Sequence, residues 1–288
     1  MPEITLPQGT IRYRDTGPRD AETLVFVHGL LVDGTLWDGV VARLGEDVRC
    51  VVPDLPLGSH RTPMAPDADL TPRGVAALIA AFLAALDLRD VTLVANDTGG
   101  AIAQIVATEH PERLGRLVLT PCDAYDNFLP PGFRPLQTMA RIPGMVWLVL
   151  QGLRIPAARR LPMAYGMIAK HPPEQALLAR WLAPATHSAG VRRDVAKLLR
   201  GIDAADTIAA AARLADFDRP ALVLWPPEER TFPFTHAERL AATLPQGRLE
   251  RLTDSWAFAP LDQPGQVADA LTRFLEQTSV AEGTLRAR

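Results

Sequence analysis

Apolar residues fall along this chain in short unbroken runs that alternate with longer stretches of helical spacing. TLVFVHG from Thr23, VRCVVPDL from Val48, VTLVAN from Val91, RLVLTPC from Arg116 and ALVLW from Ala221 are such runs. They predict strands buried on both faces. LTPRGVAALIAAFLAAL from Leu70 repeats apolar residues at helical spacing, with Thr71 placed as N-cap and Pro72 at the first helical position. GGAIAQIVATEHPERL from Gly99 reads as a second helix, ended by Pro111. Near the C-terminus, THAERLAATLP, GRLERL and QPGQVADALTRFLEQ predict helix, strand and helix. At the other end, EITL and the alternating TIRYRD predict an exposed hairpin.

This alternation predicts an α/β fold, with a mostly parallel central sheet flanked by helices. The pattern breaks near Asp123. From Ala124 to Phe217 the chain is rich in Pro, Arg and helical segments, with no convincing strand, and beyond it the alternation resumes. The expected organisation is a core of residues 1–123 and 218–288 carrying a helical cap of residues 124–217. The tail after Gln277 is polar and expected to fray.

Composition narrows the function classes. A net charge of -3 over 288 residues offers no basic footprint for nucleic acid and no polybasic attraction to an anionic membrane. No window is apolar for long enough to span a bilayer. MPEITLPQGTIRYRD lacks the charged and apolar blocks of a secretory signal, so a cytoplasmic location is expected. Cys50 and Cys122 cannot build a disulfide framework, and Cys50 reads as a small buried hydrophobe. His, Cys and carboxylates show no ligand spacing for a metal, and no cofactor is implied. The expected partner is a small-molecule substrate, with a homodimer left open.

Candidate chemistry centres on VTLVANDTGG, where Asp97 closes an apolar strand and Gly99 and Gly100 permit a sharp turn. FVHGLLVDGTLWDGV, VVPDLPLGSHR, VANDTGGAIAQ, VLWPPEERTFP and TDSWAFAPLDQPGQVADAL follow one another in an order that resembles the α/β-hydrolase fold superfamily over nearly the whole chain. The resemblance implies a nucleophile elbow, with Ala95, Gly99 and Gly100 at its small positions and Asp97, rather than Ser or Cys, at its centre. An aspartate there is similar to the haloalkane dehalogenase and epoxide hydrolase branch, in which a carboxylate attacks carbon and forms an ester. By the same resemblance, the backbone N–H groups of Thr98 and Leu30 form an oxyanion pocket and His28 lies beneath the site. The triad acid falls on Glu229, with Glu228 and Asp123 as alternatives. A plainer reading of Asp97 is a helix N-cap.

Departures from the pattern matter as much. Thr98 stands where the dehalogenases carry a halide-binding Trp, Leu30 where they carry Asn, and Leu31 where the epoxide hydrolases carry Pro. The triad histidine position is Ala257, and no histidine follows His236. His236 is expected at the surface, which leaves His60 and His187 as candidates to reach the site. Hydrolysing an ester on Asp97 calls for a base, worth on the order of 10²–10⁴ in rate.

Three functions are therefore open. One is a hydrolase of an epoxide, carbon–halogen or ester bond. Another is a non-hydrolytic isomerase, lyase or cyclase using Asp97 for proton transfer, and the last is a catalytically silent binding protein. Trp147 and Trp181, with Met163 and Met167, are expected to line an apolar pocket under the cap, and the epoxide hydrolase resemblance makes Tyr165 the candidate cap tyrosine that contacts substrate, with Tyr125 at the cap entrance. Trp256 and Phe258 flank Ala257. They are expected to fill the space of an imidazole, drying the site and raising the Asp97 pKa.

Overall fold

The computed structural model describes residues 1–286, with side chains through Ser279. Eight strands form one sheet: β1 (Glu3–Leu6), β2 (Gly9–Thr16), β3 (Thr23–Val27), β4 (Arg49–Pro53), β5 (Val91–Asp97), β6 (Leu114–Cys122), β7 (Pro220–Trp225) and β8 (Gln246–Arg251). Their order is β1-β2-β4-β3-β5-β6-β7-β8. The first hairpin pairs antiparallel and so does β2 with β4, whereas every pairing from β4 to β8 is parallel. Each apolar run singled out above is a strand. Every residue of β5 and β6 is buried, which is why those runs carry no polar alternation.

Helices α1 (Asp38–Leu44), α2 (Pro72–Ala85) and α3 (Thr98–Glu109) follow β3, β4 and β5. The Thr71 hydroxyl caps α2 by accepting from the Gly74 N–H, and Pro72 opens it. Between β6 and β7 come α4 (Arg134–Ala140), α5 (Met145–Gly152), α6 (Gln175–His187), α7 (Ala189–Gly201) and α8 (Ala204–Arg213). Among the described residues this stretch contributes no strand to the sheet. The chain ends with α9 (Phe234–Thr243), the short α10 (Ala259–Asp262) and α11 (Pro264–Arg286).

Helix α11 corrects one expectation. The polar tail does not fray after Gln277 but continues the helix to Arg286. Just past Gln277 the helix is held to the sheet, where Arg116 on β6 donates to Thr278 Oγ1 at 2.6 Å. Residues 287 and 288 of that tail lie outside the described residues. No helix among the described residues is long and apolar enough to cross a membrane.

Parallel strands gather their carboxyl ends, and the loops that follow them, on one edge of the sheet. Here that edge carries His28, Asp97 and Asp123, each within a residue of the end of β3, β5 or β6.

Candidate active site

Asp97 occupies the turn from β5 into α3 with φ 56° and ψ -136°, a conformation that L residues rarely adopt. Its side chain makes no capping hydrogen bond to the helix, so the N-cap reading does not hold. The flanking glycines are required by close approach. A Cβ on Gly99 would lie 2.3 Å from the His28 carbonyl oxygen, and one on Gly100 would lie 2.3 Å from Cys122 Cβ. Helix α3 is thus seated directly on the ends of β3 and β6. A Cβ on Gly29 would lie 2.0 Å from Asp97 Oδ2, so the loop after β3 passes against the carboxylate itself.

That loop supplies a donor: the Leu30 N–H reaches Asp97 Oδ2 at 3.2 Å. Burial pushes the Asp97 pKa up to about 6, while the Thr98 and Leu30 N–H groups favour the ionised form and limit the rise. Asp123 is fully buried and held well above the usual carboxylate range, by burial first and by the charge of Asp97 second. Thr98 Oγ1 donates to its Oδ2 at 3.5 Å, and its Oδ1 has no hydrogen-bond partner. Two carboxyls in a dry region cannot both ionise cheaply. Burial and its neighbour's charge both push Asp123 toward the neutral acid.

Among the described residues, no histidine meets the Asp97 carboxylate. Ala257 is fully buried, and its carbonyl accepts from Asn96 Nδ2. His28 Nε2 accepts from the Leu55 N–H at 2.9 Å, and its Nδ1 lies 3.0 Å from the Gly29 carbonyl. Both ring nitrogens hold backbone, and burial lowers the pKa, so His28 is a buried strut rather than a substrate contact. His60 is paired with Asp194 at 3.2 Å, and the exposed His187 turns back to the Ala183 carbonyl. His236 departs from the expected surface position: it is buried and packs edge-on against Tyr125 at 5.1 Å.

Glu229, expected as the triad acid, lies in the loop after β7 with its carboxylate turned onto its own backbone. Its carboxylate accepts from the N–H groups of Arg230, Thr231 and Phe232 at 2.5, 2.8 and 2.8 Å, binding up its own loop. Burial lifts its pKa to about 7 against those three donors. Neighbouring Glu228 is exposed and paired with Lys170 at 2.7 Å.

A cavity of about 260 Å³ opens over Asp97. Its walls come from the loop after β3 (Leu30, Leu31), the elbow (Asp97, Thr98), the 129–168 stretch and Thr231 with Phe232. Among the described residues, Asp97 is the only charged side chain that lines it. Of the aromatic residues expected there, only Tyr165 takes part, with its hydroxyl committed to the Leu31 carbonyl at 2.8 Å. Trp181 is fully buried behind it and donates to Asp33 and Thr35. Phe258, also fully buried, packs against both Tyr165 and Trp181 at 6.4 and 6.0 Å. Trp256 lies under the Arg230 guanidinium at 4.1 Å, and Trp147 is 49% exposed on α5. Met163 reaches the cavity as expected, whereas Met167 contributes only a carbonyl to Thr231.

The reading from sequence missed the apolar wall of Leu129, Phe133, Leu136, Val149 and Leu153. Helical spacing in α4 and α5 was the available signal, but nothing in it said that this face turns toward a cavity. Gly29 was read only as part of the His28-Gly29 segment, although a glycine in such a loop is a position where close backbone approach is expected.

A parallel sheet with a sharp elbow at the end of its central strand defines an α/β-hydrolase architecture. The chain belongs to the alpha/beta hydrolase family, whose model matches residues 24–270. It is 27% identical over 277 residues to haloalkane dehalogenase 2 of Mycobacterium tuberculosis, covering 92% of this chain and 91% of that one. A shorter likeness has the higher identity. Over 132 residues, 43% of each chain, it is 35% identical to the cis-3-alkyl-4-alkyloxetan-2-one decarboxylase of Xanthomonas campestris. A loop variant of the haloalkane dehalogenase DbeA from Bradyrhizobium elkanii shares the fold with a TM-score of 0.80 and 19% identity, over 98% of this chain and 97% of that chain.

Proposed function

We propose that the protein is an enzyme in which the Asp97 carboxylate attacks a small, mainly apolar electrophile and forms a covalent ester. The observation that carries this reading is the position of Asp97: a strained elbow carboxylate, among the described residues the one charged group on an apolar cavity, with the Leu30 N–H on its oxygen. Residues 124–217 act as the cap that supplies most of the cavity wall. In the first step an Asp97 oxygen bonds to a saturated carbon, and the halide or ring oxygen leaves with the bonding electrons. The Thr98 and Leu30 N–H groups steady the remaining carboxylate oxygen.

The second step follows from what the site lacks. Hydrolysis of the ester needs a base to activate water, and among the described residues no histidine meets Asp97. A strained ester avoids the need. If Asp97 attacks the ring carbon bonded to oxygen in a β-lactone, the ring C–O bond breaks and frees a carboxylate on the neighbouring carbon. Loss of carbon dioxide then leaves an electron pair that forms the C=C bond and expels the Asp97 carboxylate. Neither water nor a base is consumed. The likeness to the oxetanone decarboxylase supports this non-hydrolytic route. Dehalogenation, in which Asp97 displaces halide and water then hydrolyses the resulting alkyl ester to an alcohol, is the second reading, favoured by the likeness to haloalkane dehalogenase 2 over 92% of the chain.

Intact-mass measurement after incubation with alkyl halides, epoxides and a cis-disubstituted β-lactone, in ¹⁸O water, separates the two. Expected are a lasting Asp97 adduct with the halide, and alkene with carbon dioxide from the lactone. Alcohol product carrying solvent oxygen would favour hydrolysis. Turnover that survives Asp97→Asn would overturn both.

A further inference from the structure

Six of the eight large apolar side chains that stand exposed among the described residues fall in one segment. They are Ile142, Trp147, Leu148, Ile155, Leu161 and Met163, each between 46% and 60% exposed. Scattered single exposures need no explanation, but a cluster of this kind marks a surface that meets something apolar. The charge of the same segment is one-sided. Residues 127–173 contain Arg134, Arg141, Arg154, Arg159, Arg160 and Lys170 and no Asp or Glu, in a chain whose net charge is -3. Arg134, Arg141, Arg154 and Arg160 are exposed and form no ion pair among the described residues. Leu161 and Met163 are both exposed and line the cavity, so the exposed apolar side chains of this segment reach the cavity wall.

We propose that this face, built on α4, α5 and the residues that follow to Met163, docks on an anionic lipid bilayer and sets the mouth of the Asp97 cavity at the membrane surface. Apolar side chains including a tryptophan enter the headgroup boundary, and exposed arginines meet anionic headgroups. The whole-chain charge conceals this local asymmetry. A second copy of the chain is a poorer occupant. In a two-fold contact the same arginines face one another, with no carboxylate in the segment to pair them. An apolar substrate dissolved in lipid then reaches the cavity without crossing water. Vesicle binding requires no turnover, so it stands or falls independently of the Asp97 chemistry.

Co-sedimentation with phosphatidylcholine vesicles and with phosphatidylcholine–phosphatidylglycerol vesicles tests the proposal. Binding is expected on the anionic vesicles only, weakening as salt is raised. The variant Trp147→Ser, Leu148→Ser, Ile155→Ser is expected to lose it. Arg141→Gln, Arg154→Gln and Arg160→Gln together are expected to weaken it on the order of a hundredfold. All six positions are exposed and none lines the cavity, and circular dichroism with thermal melting checks that both variants are folded. Absence of vesicle binding, equal binding to neutral vesicles, or a dimer that the serine variant dissolves overturns the proposal.

Discussion

Asn96 donates to the Ala257 carbonyl at 2.7 Å, so the residue before the elbow carboxylate fixes the backbone at the position where the resemblance places a base. The same nitrogen serves Thr120 Oγ1 at 2.8 Å and the Pro121 carbonyl at 3.0 Å. Three segments that are distant in sequence therefore meet on one amide, and all of it is buried. Asn96→Leu keeps the volume but leaves those acceptors without a donor. Chemical denaturation is expected to show a loss of about 2–3 kcal/mol, from carbonyls left unpaired in a dry interior. A loss under about 0.5 kcal/mol would mean that the clamp contributes little.

Gly29 limits how the carboxylate can be approached. Gly29→Ala would place its Cβ 2.0 Å from Asp97 Oδ2 and 2.5 Å from Asp97 Cβ, so the side chain cannot simply swing aside. The elbow must shift, which costs about 1–3 kcal/mol by overpacking. The Leu30 N–H also moves off the carboxylate oxygen. The expected outcome is a folded, less stable protein that forms the Asp97 adduct on the order of a hundredfold more slowly, as loss of one oxyanion donor does elsewhere. Adduct formation at the unaltered rate would show that the contact has slack.

Much of the fold was legible because burial on both faces leaves a plain mark: β3, β4, β5, β6 and β7 are unbroken apolar runs. The elbow was legible because strain and close approach demand small residues beside Asp97. The cavity wall was not. Trp147 and Trp181 attracted notice as large aromatics, yet one faces solvent and the other is sealed behind Tyr165. Periodicity tells which residues share a helix face, but which face meets the cavity is set by tertiary packing. Glu229 shows the same limit. Its place after β7 was readable, whereas its turn inward to three backbone N–H groups depends on loop geometry that no spacing encodes.

That geometry separates an orienting acid from a loop clamp. A clamp needs an acceptor oxygen, not a charge. Glu229→Gln keeps one oxygen for the donors of Thr231 and Phe232 and is expected to change stability by less than about 1 kcal/mol, whereas Glu229→Ala strands buried donors and costs about 2 kcal/mol. Neither substitution is expected to stop adduct formation at Asp97. If Glu229→Gln removed the adduct while the protein stayed folded, the carboxylate charge would be acting on the chemistry after all.

Asp97 should also leave a signature in the pH dependence of stability. Its pKa is raised from 3.8 to about 6 by burial, so between those values the folded state binds more proton than the unfolded state. Stability from this group is complete below about pH 4 and is lost as pH rises through about 6. The loss is about 3 kcal/mol on the scale of 1.36 kcal/mol per unit. Other carboxylates titrate in the same range, so the informative quantity is the difference between the wild type and Asp97→Asn. Urea denaturation at pH 4 and at pH 7.5 is expected to show the asparagine variant gaining on the wild type by about 3 kcal/mol across that interval. A difference that does not change with pH would mean that Asp97 ionises in the fold as it does in water, and that the cavity over it is wet.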